Sequence, residues 1–568
     1  MTPPSGTPAR IVSAVFAVVA VLGIVVGCSD DGPATINYVV DARIDTYNAN
    51  TVDGNASGVL MATTRVLPGF SYLGAQGQVT PDRDVGTVSP VAGDTLTLRY
   101  QFAPAAAFSD GQQLDCDDLV LAWAAMSGRF AGFTPATTAG YRDITAVDCA
   151  AGEKAATVHF AAGRAYRDWA SLFGAGTLLP AHVVGRIAGS TDVVGAVRRN
   201  DAPALAKIAK AWDTGFDLAP GDIDATRFPA SGPYRVDHYS RADGLVLVAN
   251  EKWWGDAPKV SRIIIWGRGT DVDRRISDDA FDIADVTGGF VNNDLAPAGG
   301  AVTGPSATWR PRDALGVDEV VLSSGGVFAD VRARRAFASC VPRDGLARQF
   351  GQGAQMWNMR VLAPADDLAA QINNEFGREY ARPDLGRARS LLDEIATETG
   401  SGTPAIRVRL GFVAPTPRFE QMASTIAERC RDAGVTVVAA DSPDITPGAL
   451  GRSVDALLVS GGVGFAASGA LDPARDAYQV RGGDPLDLPD FRSPPVSEAV
   501  DQLATVDLGA DRLQLVRTIE NGAWTDLPSI PLFASPRVQR WNQRVANVIP
   551  GLARNGTGWN MDRWAIRE

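Results

Sequence analysis

A strand, a turn and the start of a helix follow one another closely in the first third of the chain. Residues 95–102 alternate polar and apolar side chains with a period of two, which predicts a strand. Asp110 and Gly111 supply a turn signal. An acidic run then begins at Asp115, where carboxylates stabilise the N-terminus of a helix. This succession predicts a local unit of mixed α/β structure.

A second passage in the later half has the order strand, helix, strand. It comprises a strand at 406–412, a helix at 418–430, a stop at Ala433 and Gly434, and a strand at 435–438. This order is typical of a βαβ unit, so the later half is also predicted to be α/β.

The N-terminus carries one charge, Arg10, before the apolar stretch 11–27, which ends directly at Cys28. A small residue before a cysteine at the end of such a stretch resembles a bacterial lipobox, in which the cysteine is acylated and becomes the new N-terminus. A transmembrane anchor is the alternative, but spanning a bilayer takes about 20 apolar residues. We therefore expect a signal segment at 1–28, a spacer at 29–35, and a protein held outside the cytoplasmic membrane by its lipid alone.

The charge balance argues against nucleic acid as a partner. The chain has 53 Lys and Arg against 65 Asp and Glu, a formal net charge of −12, so polyanions and anionic lipid surfaces would repel it. Single cores stop growing near 250–300 residues, and 568 residues are therefore enough for two large lobes.

Four cysteines remain once Cys28 is assigned to lipid, an even number in a compartment that permits disulfides. Cys116 and Cys149 lie in the first third, and Cys340 and Cys430 lie near the ends of predicted helices. We predict the pairs Cys116–Cys149 and Cys340–Cys430. Four buried free thiols are the alternative, because connectivity cannot be deduced from spacing.

Several segments carry a family resemblance. They are Phe108-Ser-Asp-Gly111 with its acidic helix start, Ser231-Gly-Pro-Tyr234, Asn250-Glu-Lys-Trp-Trp-Gly255, the helices beginning at Asp330 and Asp384, and Leu527-Pro-Ser-Ile-Pro-Leu-Phe533. In this order they resemble solute-binding protein family 5, the extracytoplasmic receptors of peptide, nickel and oligosaccharide ABC importers. The resemblance extends from about Ile36 to the C-terminus.

Within that family, five further segments resemble the dipeptide- and oligopeptide-binding lipoproteins of mycobacteria and their relatives. These segments are 36–41, 46–51, 115–118, 147–152 and 558–564. A second actinobacterial group of the same fold, linked to cell-wall mannoside synthesis, fits them less well. It supplies the alternative function, a non-transport envelope lipoprotein with a role in glycolipid-related regulation.

The resemblance implies a two-lobe, periplasmic-binding-protein-like α/β fold of type II, cluster C. Lobe I would take 36–286 with an extra subdomain at about 60–200, lobe II would take 287–527, and 528–568 would return to lobe I. A hinge near Val286 and Pro531 would let a monomer close on a short peptide of three to five residues and deliver it to an ABC permease. No cofactor is implied, and haem is the alternative additional ligand.

Candidate peptide-binding residues lie in three loops. In relatives a loop aspartate meets the peptide's amino terminus, but the matching position here is Gly469, which leaves Asp41, Asp45 or Asp472 for that role. Asparagine side chains can bond a peptide backbone in both directions, and exposed glycine backbone can do so beside an extended ligand. Flexible or ligand-free loops are the alternative readings. The candidates are Asp41, Asp45, Tyr47, Asn48, Asn50, Trp357, Gly461, Gly462, Val463, Gly464 and Asp472.

A catalytic constellation is not evident in the sequence. The three histidines, His159, His182 and His238, have neither a two-His metal spacing nor a neighbouring nucleophile. The run 462–467 formally matches a dinucleotide fingerprint, but Pro473 and the residues before it break the helix that would receive the pyrophosphate. We therefore expect a binding protein with no catalytic or metal site.

Overall fold

A computed structural model describes residues 1–2, 34–189, 192–287, 306–400, 405–461, 470–506 and 509–567. Within these ranges, no helix combines the length and apolar character that crossing a bilayer requires. Cys28, most of the predicted spacer and residues 462–464 and 469 lie outside the described part of the chain.

The strands, numbered in chain order, are β1 (Thr35–Arg43), β2 (Ser71–Leu73), β3 (Val79–Pro81), β4 (Gly86–Val91), β5 (Thr97–Phe102), β6 (Ile144–Asp148), β7 (Ala155–Phe160), β8 (Tyr234–Ser240), β9 (Gly244–Ala249), β10 (Arg262–Arg268), β11 (Ile283–Thr287), β12 (Ser306–Leu322), β13 (Ile406–Gly411), β14 (Val435–Ala439), β15 (Ala456–Ser460), β16 (Ser529–Asn542), β17 (Val545–Ala546) and β18 (Ala565–Ile566).

The α-helices are α1 (Val52–Ala56), α2 (Leu60–Thr63), α3 (Cys116–Met126), α4 (Ala181–Ala188), α5 (Val193–Arg198), α6 (Ala202–Thr214), α7 (Val272–Ser277), α8 (Val331–Cys340), α9 (Arg343–Phe350), α10 (Asp367–Ile372), α11 (Leu385–Thr399), α12 (Pro417–Arg431), α13 (Pro473–Asp476), α14 (Pro494–Leu503) and α15 (Ala510–Asp526).

Ten strands form one continuous sheet in the order β14-β13-β15-β12-β16-β11-β1-β10-β9-β8. Strand β1 lies inside this sheet, parallel to both of its neighbours, β10 and β11. Its apolar side chains are buried, as expected for a parallel strand covered on both faces. Strand β1 begins at Thr35, inside the predicted spacer, and continues past Asp41, which was predicted to lie in a loop.

The long strands β12 and β16 join two lobes. They pair in antiparallel fashion from Ser306 opposite Asn542 to Val321 opposite Ser529. The main break in register lies between Asp313 and Val317, and smaller shifts occur at Ala307/Arg310 and Asp318/Glu319. Beyond one side of the break β16 pairs with β11, and beyond the other side β12 pairs with β15. One sheet therefore passes through lobe I and lobe II.

An extra subdomain carries its own sheet, in the order β4-β5-β7-β6, together with helices α3 to α6. Strand β5 confirms the predicted alternation, because its side chains alternate in burial. Asp115 caps α3 and forms a reciprocal capping box with Asp118, which is the role predicted for this acidic run. The disulfide between Cys116 and Cys149 ties the start of α3 to the loop after β6.

Lobe II contains the predicted βαβ unit. Strands β13 and β14 are parallel, α12 connects them, and Gly434 adopts a positive φ of 83° before β14. The disulfide between Cys340 and Cys430 joins the ends of α8 and α12. Both predicted cysteine pairs are therefore present.

The C-terminal return is anchored at the centre of the large sheet by a buried ion pair. Asp285 of β11 and Arg537 of β16 have fully buried side chains, and the Arg537 Nε lies 2.6 Å from Asp285 Oδ1. The backbone N–H and hydroxyl of Thr557 donate to the other carboxylate oxygen at 2.6 and 2.7 Å. These bonds fix the segment that leads from β16 back over lobe I.

Candidate functional site

A cavity of about 140 Å³ lies where lobe I, the extra subdomain, lobe II and the C-terminal return meet. Its lining combines the segment after β1, the β2–β3 hairpin, the loop before α4, the start of α13 and the segment after β17. The residues are Ala49, Asn50, Asn55, Leu60, Thr64, Ser71, Tyr72, Leu73, Val79, Met126, Ala136, Thr137, Ala139, Tyr141, Tyr166, Asp168, Ser171, Leu172, Gly174, Ala175, Thr177, Ala470, Arg475, Arg554 and Asn555.

Local hydrogen bonds hold the lobe I wall of this cavity. The Asn48 side chain is fully buried, and its Oδ1 accepts bonds from the backbone and side-chain nitrogens of Asn50. Asn50 Nδ2 also donates to the Gly176 carbonyl at 2.6 Å. Asn48 therefore positions Asn50, which lies on the cavity wall.

The opposite wall comes from the loop that carries Asp168. Phe173 adopts a positive φ of 52°, and its backbone N–H donates to the Tyr141 hydroxyl at 2.8 Å. The Ser171 backbone N–H and hydroxyl both donate to the Asp168 carbonyl, which closes a tight turn. This turn presents the Asp168 side chain to the cavity.

Asp168 lines the cavity and lies close to a second acidic group, Asp472. Asp168 is 7% exposed, and burial, with the nearby Asp472 carboxylate, raises its pKa to about 7. The Arg167 guanidinium is committed to Asp472, with Nη2 at 2.6 Å from Oδ2. Within the described part of the chain, no Lys or Arg nitrogen lies within 4.0 Å of the Asp168 carboxylate.

Two guanidinium groups, those of Arg475 and Arg554, also line the cavity. Arg554 is 7% exposed, and burial, with repulsion from Arg475, lowers its pKa to about 9. Both arginines donate to the side-chain oxygen of Asn55, Arg475 at 2.8 Å. Arg475 also pairs with Asp476 at 3.0 Å, whereas Arg554 forms no ion pair with any residue that the structure describes.

Aromatic and aliphatic side chains line the remainder of the cavity. Tyr72 stacks on Trp559 of the C-terminal return, with ring centroids 5.8 Å apart, while Leu60, Met126 and Leu172 add apolar surface. An apolar wall with a few convergent polar groups is typical of a site for a small ligand.

A second, smaller cavity of about 70 Å³ lies between the lobes, near the carboxyl ends of β1 and β15. Asp41 borders it and accepts bonds from Arg268 Nε at 3.2 Å and from the Thr287 hydroxyl. Arg268 also reaches lobe II, donating to the Pro415 carbonyl at 2.9 Å and to the Thr416 hydroxyl at 3.2 Å. Asp41 therefore orients a contact between the lobes and does not line the larger cavity.

The structure brings only some of the predicted peptide-binding residues to the 140 Å³ cavity. Asn50 lines this cavity. Asp472 caps the N-terminus of α13, and its carboxylate lies near that of Asp168. Asp45 instead pairs with Arg43 beside a separate open cleft of about 610 Å³. Gly461 donates to the Val317 carbonyl and borders a small void in lobe II, and residues 462–464 lie outside the described part of the chain.

Three of the predicted contact residues are buried and do not line the 140 Å³ cavity. Tyr47 is fully buried, donates to the Pro229 carbonyl at 3.0 Å and packs against phenylalanine rings. The Asn48 side chain donates to the Trp212 carbonyl and accepts from the Asn50 backbone N–H. Trp357 is 4% exposed in the core of lobe II, where its indole N–H donates to the Leu362 carbonyl. Their polar atoms are therefore occupied by the protein itself.

Sequence reasoning missed Asp168, Arg475 and Arg554. None lies in a predicted periodic segment, and Asp168 lies about 300 positions before Arg475, which lies about 80 before Arg554, so only the fold brings them together. Two features of the sequence could have pointed to the arginines. Arg475 follows the candidate Asp472 by three residues, and Arg554 lies in the glycine-bounded segment 551–556.

The histidines lie away from the cavity. Each is at least partly exposed and lies within 3.2 Å of an aspartate, as in His182 with Asp110 at 2.8 Å. Across the described ranges, no group of three or more His, Cys, Asp or Glu side chains is placed to hold a metal ion.

Comparison with known proteins places this geometry in a family. The model of the bacterial extracellular solute-binding proteins, family 5 middle region, matches residues 88–445. A lipoprotein of Mycobacterium tuberculosis, named as uncharacterised, is 38% identical over 548 residues, which cover 95% of this chain and 94% of that protein.

Solved structures with the same fold bind different ligands. The periplasmic EDTA-binding protein EppA superposes with a TM-score of 0.74 at 17% identity, over 94% of this chain and 97% of that one. Haemophilus influenzae OppA, solved with the peptide RPPGFSPFR, superposes with a TM-score of 0.73 at 14% identity, over 95% and 100%. At these identities the likeness concerns the fold, and the two-lobe α/β architecture is common to all. By the family model and by its mycobacterial relative, the chain belongs to family 5 of the bacterial extracellular solute-binding proteins.

Proposed function

We propose that this protein is the extracytoplasmic receptor of an ABC importer, and that it captures short peptides in the 140 Å³ cavity and delivers them to the permease. The observation that carries the proposal is the cavity's composition. Ala470 and Arg475 of lobe II complete a wall that lobe I and the extra subdomain begin. A ligand enters such a site only when the lobes separate, and it is enclosed when they close.

Contacts between the lobes support a hinged closure. Across the cavity's edge, Thr138 donates to the Asp484 carboxylate at 3.0 and 2.6 Å, and Arg164 donates to the Asp501 carbonyl at 2.8 Å. Opening the cavity requires these contacts to break, together with others between the lobes such as the Arg167–Asp472 ion pair and the Arg475–Asn55 hydrogen bond, whereas β12 and β16 can stay paired. We place the hinge at their break in register, next to the predicted position at Pro531.

Domain limits and anchoring complete the proposal. We assign 36–286 to lobe I, 287–527 to lobe II and 528–568 to the return. We also assign residues 1–28 to a lipoprotein signal with acylation at Cys28, in keeping with the relatives' names as lipoproteins. The receptor would then act as a lipid-tethered monomer on the outer face of the cytoplasmic membrane.

Native mass spectrometry tests this function. The full chain is purified from membranes in mild detergent without refolding, and bound material is released by mild denaturation. We expect a heterogeneous set of extra masses that sequence as short peptides. A bare protein whose melting temperature also does not change with a peptide library would contradict the proposal and favour the non-transport envelope role.

A further inference from the structure

Several basic side chains surround the point at which β1 enters the large sheet. Strand β1 begins at Thr35, which is paired with Arg262 at the start of β10. The Thr35 carbonyl accepts from Arg544 Nη2 at 3.1 Å, and the Arg544 carbonyl accepts from the Arg567 backbone N–H at 2.8 Å. These contacts gather three arginines at one edge of the sheet.

The loop between β9 and β10 adds two lysines at the same edge. This loop leads directly into Arg262, and its Lys252 and Lys259 are exposed. Arg567 is also exposed, and Arg262 is partly exposed. We call the following four cations the entry cluster: Lys252, Lys259, Arg262 and Arg567.

The four cations of the entry cluster have no ion-pair partner among the described residues. The acidic side chains at this edge that pair with arginines are Glu251, Asp279, Asp282 and Asp562. Asp256 has no such partner, and the adjoining Arg83 and Asp84 are of opposite sign and cancel. Four unpaired cations against one unpaired anion make this edge basic, in a chain whose formal net charge is −12.

The proposed lipid anchor holds this edge close to the membrane. Cys28 precedes Thr35 by about seven positions, and an extended chain spans at most about 3.6 Å per residue, so the edge lies within about 25 Å of the acylated cysteine. The Debye length is about 8 Å at physiological ionic strength, so acidic groups elsewhere on the lobes are screened from headgroups that touch this edge. The negative charge of the whole chain therefore does not prevent contact here.

Building on the proposed lipid anchoring, we propose that the entry cluster binds the anionic phospholipid headgroups of the outer leaflet and so orients the receptor on the membrane. The segment that carries Asn50 follows the opposite end of β1, and Asn50 lines the 140 Å³ cavity. A receptor bound through the cluster therefore holds lipid at one end of β1 and its cavity beyond the other. Capture of a ligand then takes place away from the headgroups.

Lysine acylation followed by mass spectrometry tests this surface. Lys252 and Lys259 report on the cluster, while Lys207 and Lys210, exposed on α6 of the extra subdomain, are internal controls. The full chain, purified from membranes in mild detergent, is reconstituted on vesicles of phosphatidylcholine alone or with an equal share of phosphatidylglycerol.

We expect phosphatidylglycerol to slow the labelling of Lys252 and Lys259 by at least about 5-fold, since one cation near an anionic surface contributes about that factor. Labelling of Lys207 and Lys210 should not change. In 1 M salt, where the Debye length is about 3 Å, the difference between the vesicles should disappear.

A double variant tests the charges themselves. Arg262→Gln combined with Arg567→Gln should reduce the protection of the two cluster lysines by at least about 5-fold. Arg199→Gln combined with Arg429→Gln removes the same charge from exposed positions outside the cluster and should leave the protection unchanged. Circular dichroism checks that each variant is folded.

The wild-type chain alone decides the outcome. Equal labelling of Lys252 and Lys259 on the two kinds of vesicle overturns the proposal, whether these lysines are protected on both or on neither. Flotation with the vesicles tests the anchor separately. A chain that floats with phosphatidylglycerol only, and not in 1 M salt, has the lipid-binding cluster without the acyl anchor, and a chain that floats with neither overturns both assignments.

Discussion

Ligand affinity should depend on pH through Asp168. Burial, followed by the Asp472 carboxylate, raises the pKa of its carboxyl to about 7. Asp476 adds to the rise, whereas a hydrogen bond from Ser171 and the charge of Arg167 lower the pKa. Only the ionised form can pair with an ammonium group, so protonation competes with the ligand. At pH 5.5 about 3% of the site is ionised, and the dissociation constant should be about 30-fold larger than its limit at high pH.

An opposing effect sets the upper limit. The amino group of a peptide has a pKa of about 8 and loses its charge above that pH. Affinity should therefore be greatest between about pH 7 and 8 and fall on both sides. Tyr166, which is also close to Asp168, stays protonated across this range because burial raises the pKa of its hydroxyl well above the usual value.

Calorimetry in buffers of different ionisation enthalpy measures the linked proton directly. At pH 6, Asp168 is about 90% protonated, so binding a short peptide should release about 0.9 proton. The Asp168→Asn variant should release no proton on binding. Its affinity should no longer fall between pH 7 and 5.5. If the affinity is constant from pH 5.5 to 7 and the wild type releases no proton on binding, the Asp168 carboxylate does not bind the amino group of the peptide.

Four further results are expected. Asp168→Asn should stabilise the ligand-free protein by up to about 4 kcal/mol at pH 8, measured in denaturant titrations. Between pH 4 and 7 the folded chain keeps a proton on Asp168 that the unfolded chain loses, so the stability of the wild type falls as the pH rises. A destabilised variant would contradict this. Arg268→Gln should weaken peptide binding about 3- to 10-fold by removing contacts between the lobes, and unchanged affinity together with an unchanged radius of gyration would argue against closure there. Replacing Cys340 and Cys430 with serine should cost about 4–5 kcal/mol, since the disulfide closes a loop of about 90 residues; an unchanged denaturation midpoint would exclude this contribution. Cys28→Ser should release the protein from the membrane fraction into the medium, and continued membrane association would point to a spanning anchor.

Local sequence signals predicted the elements well where a segment interacts mainly with itself. The alternation before Phe102, the acidic cap at Asp115 and the βαβ spacing around α12 are short-range patterns, and all are present in the fold. The cysteine pairs were also correct, because the two members of each pair lie within one of the predicted lobes.

The site was predicted less well because it depends on packing between distant segments. Tyr47 and Asn48 lie in a loop of the right composition, but the adjoining subdomain buries their polar groups. Asn50, two residues further on, faces the cavity. Whether such a side chain faces protein or ligand is decided by neighbours that come from more than a hundred positions away, and no local pattern encodes it.

The order in which the cavity's parts occur in the chain has a consequence for export. If the chain is exported from its N-terminus as proposed, Asn50 would emerge early, Asp168 would follow, Arg475 would come much later and Arg554 would come last. Contacts so distant in sequence form slowly, because the long intervening loop must close first. The anchoring pair of Asp285 with Arg537 likewise waits for the last strand of the large sheet. Under the proposed function, a partly exported chain would lack Arg475 and Arg554 and could not complete the cavity, so it would not retain cargo.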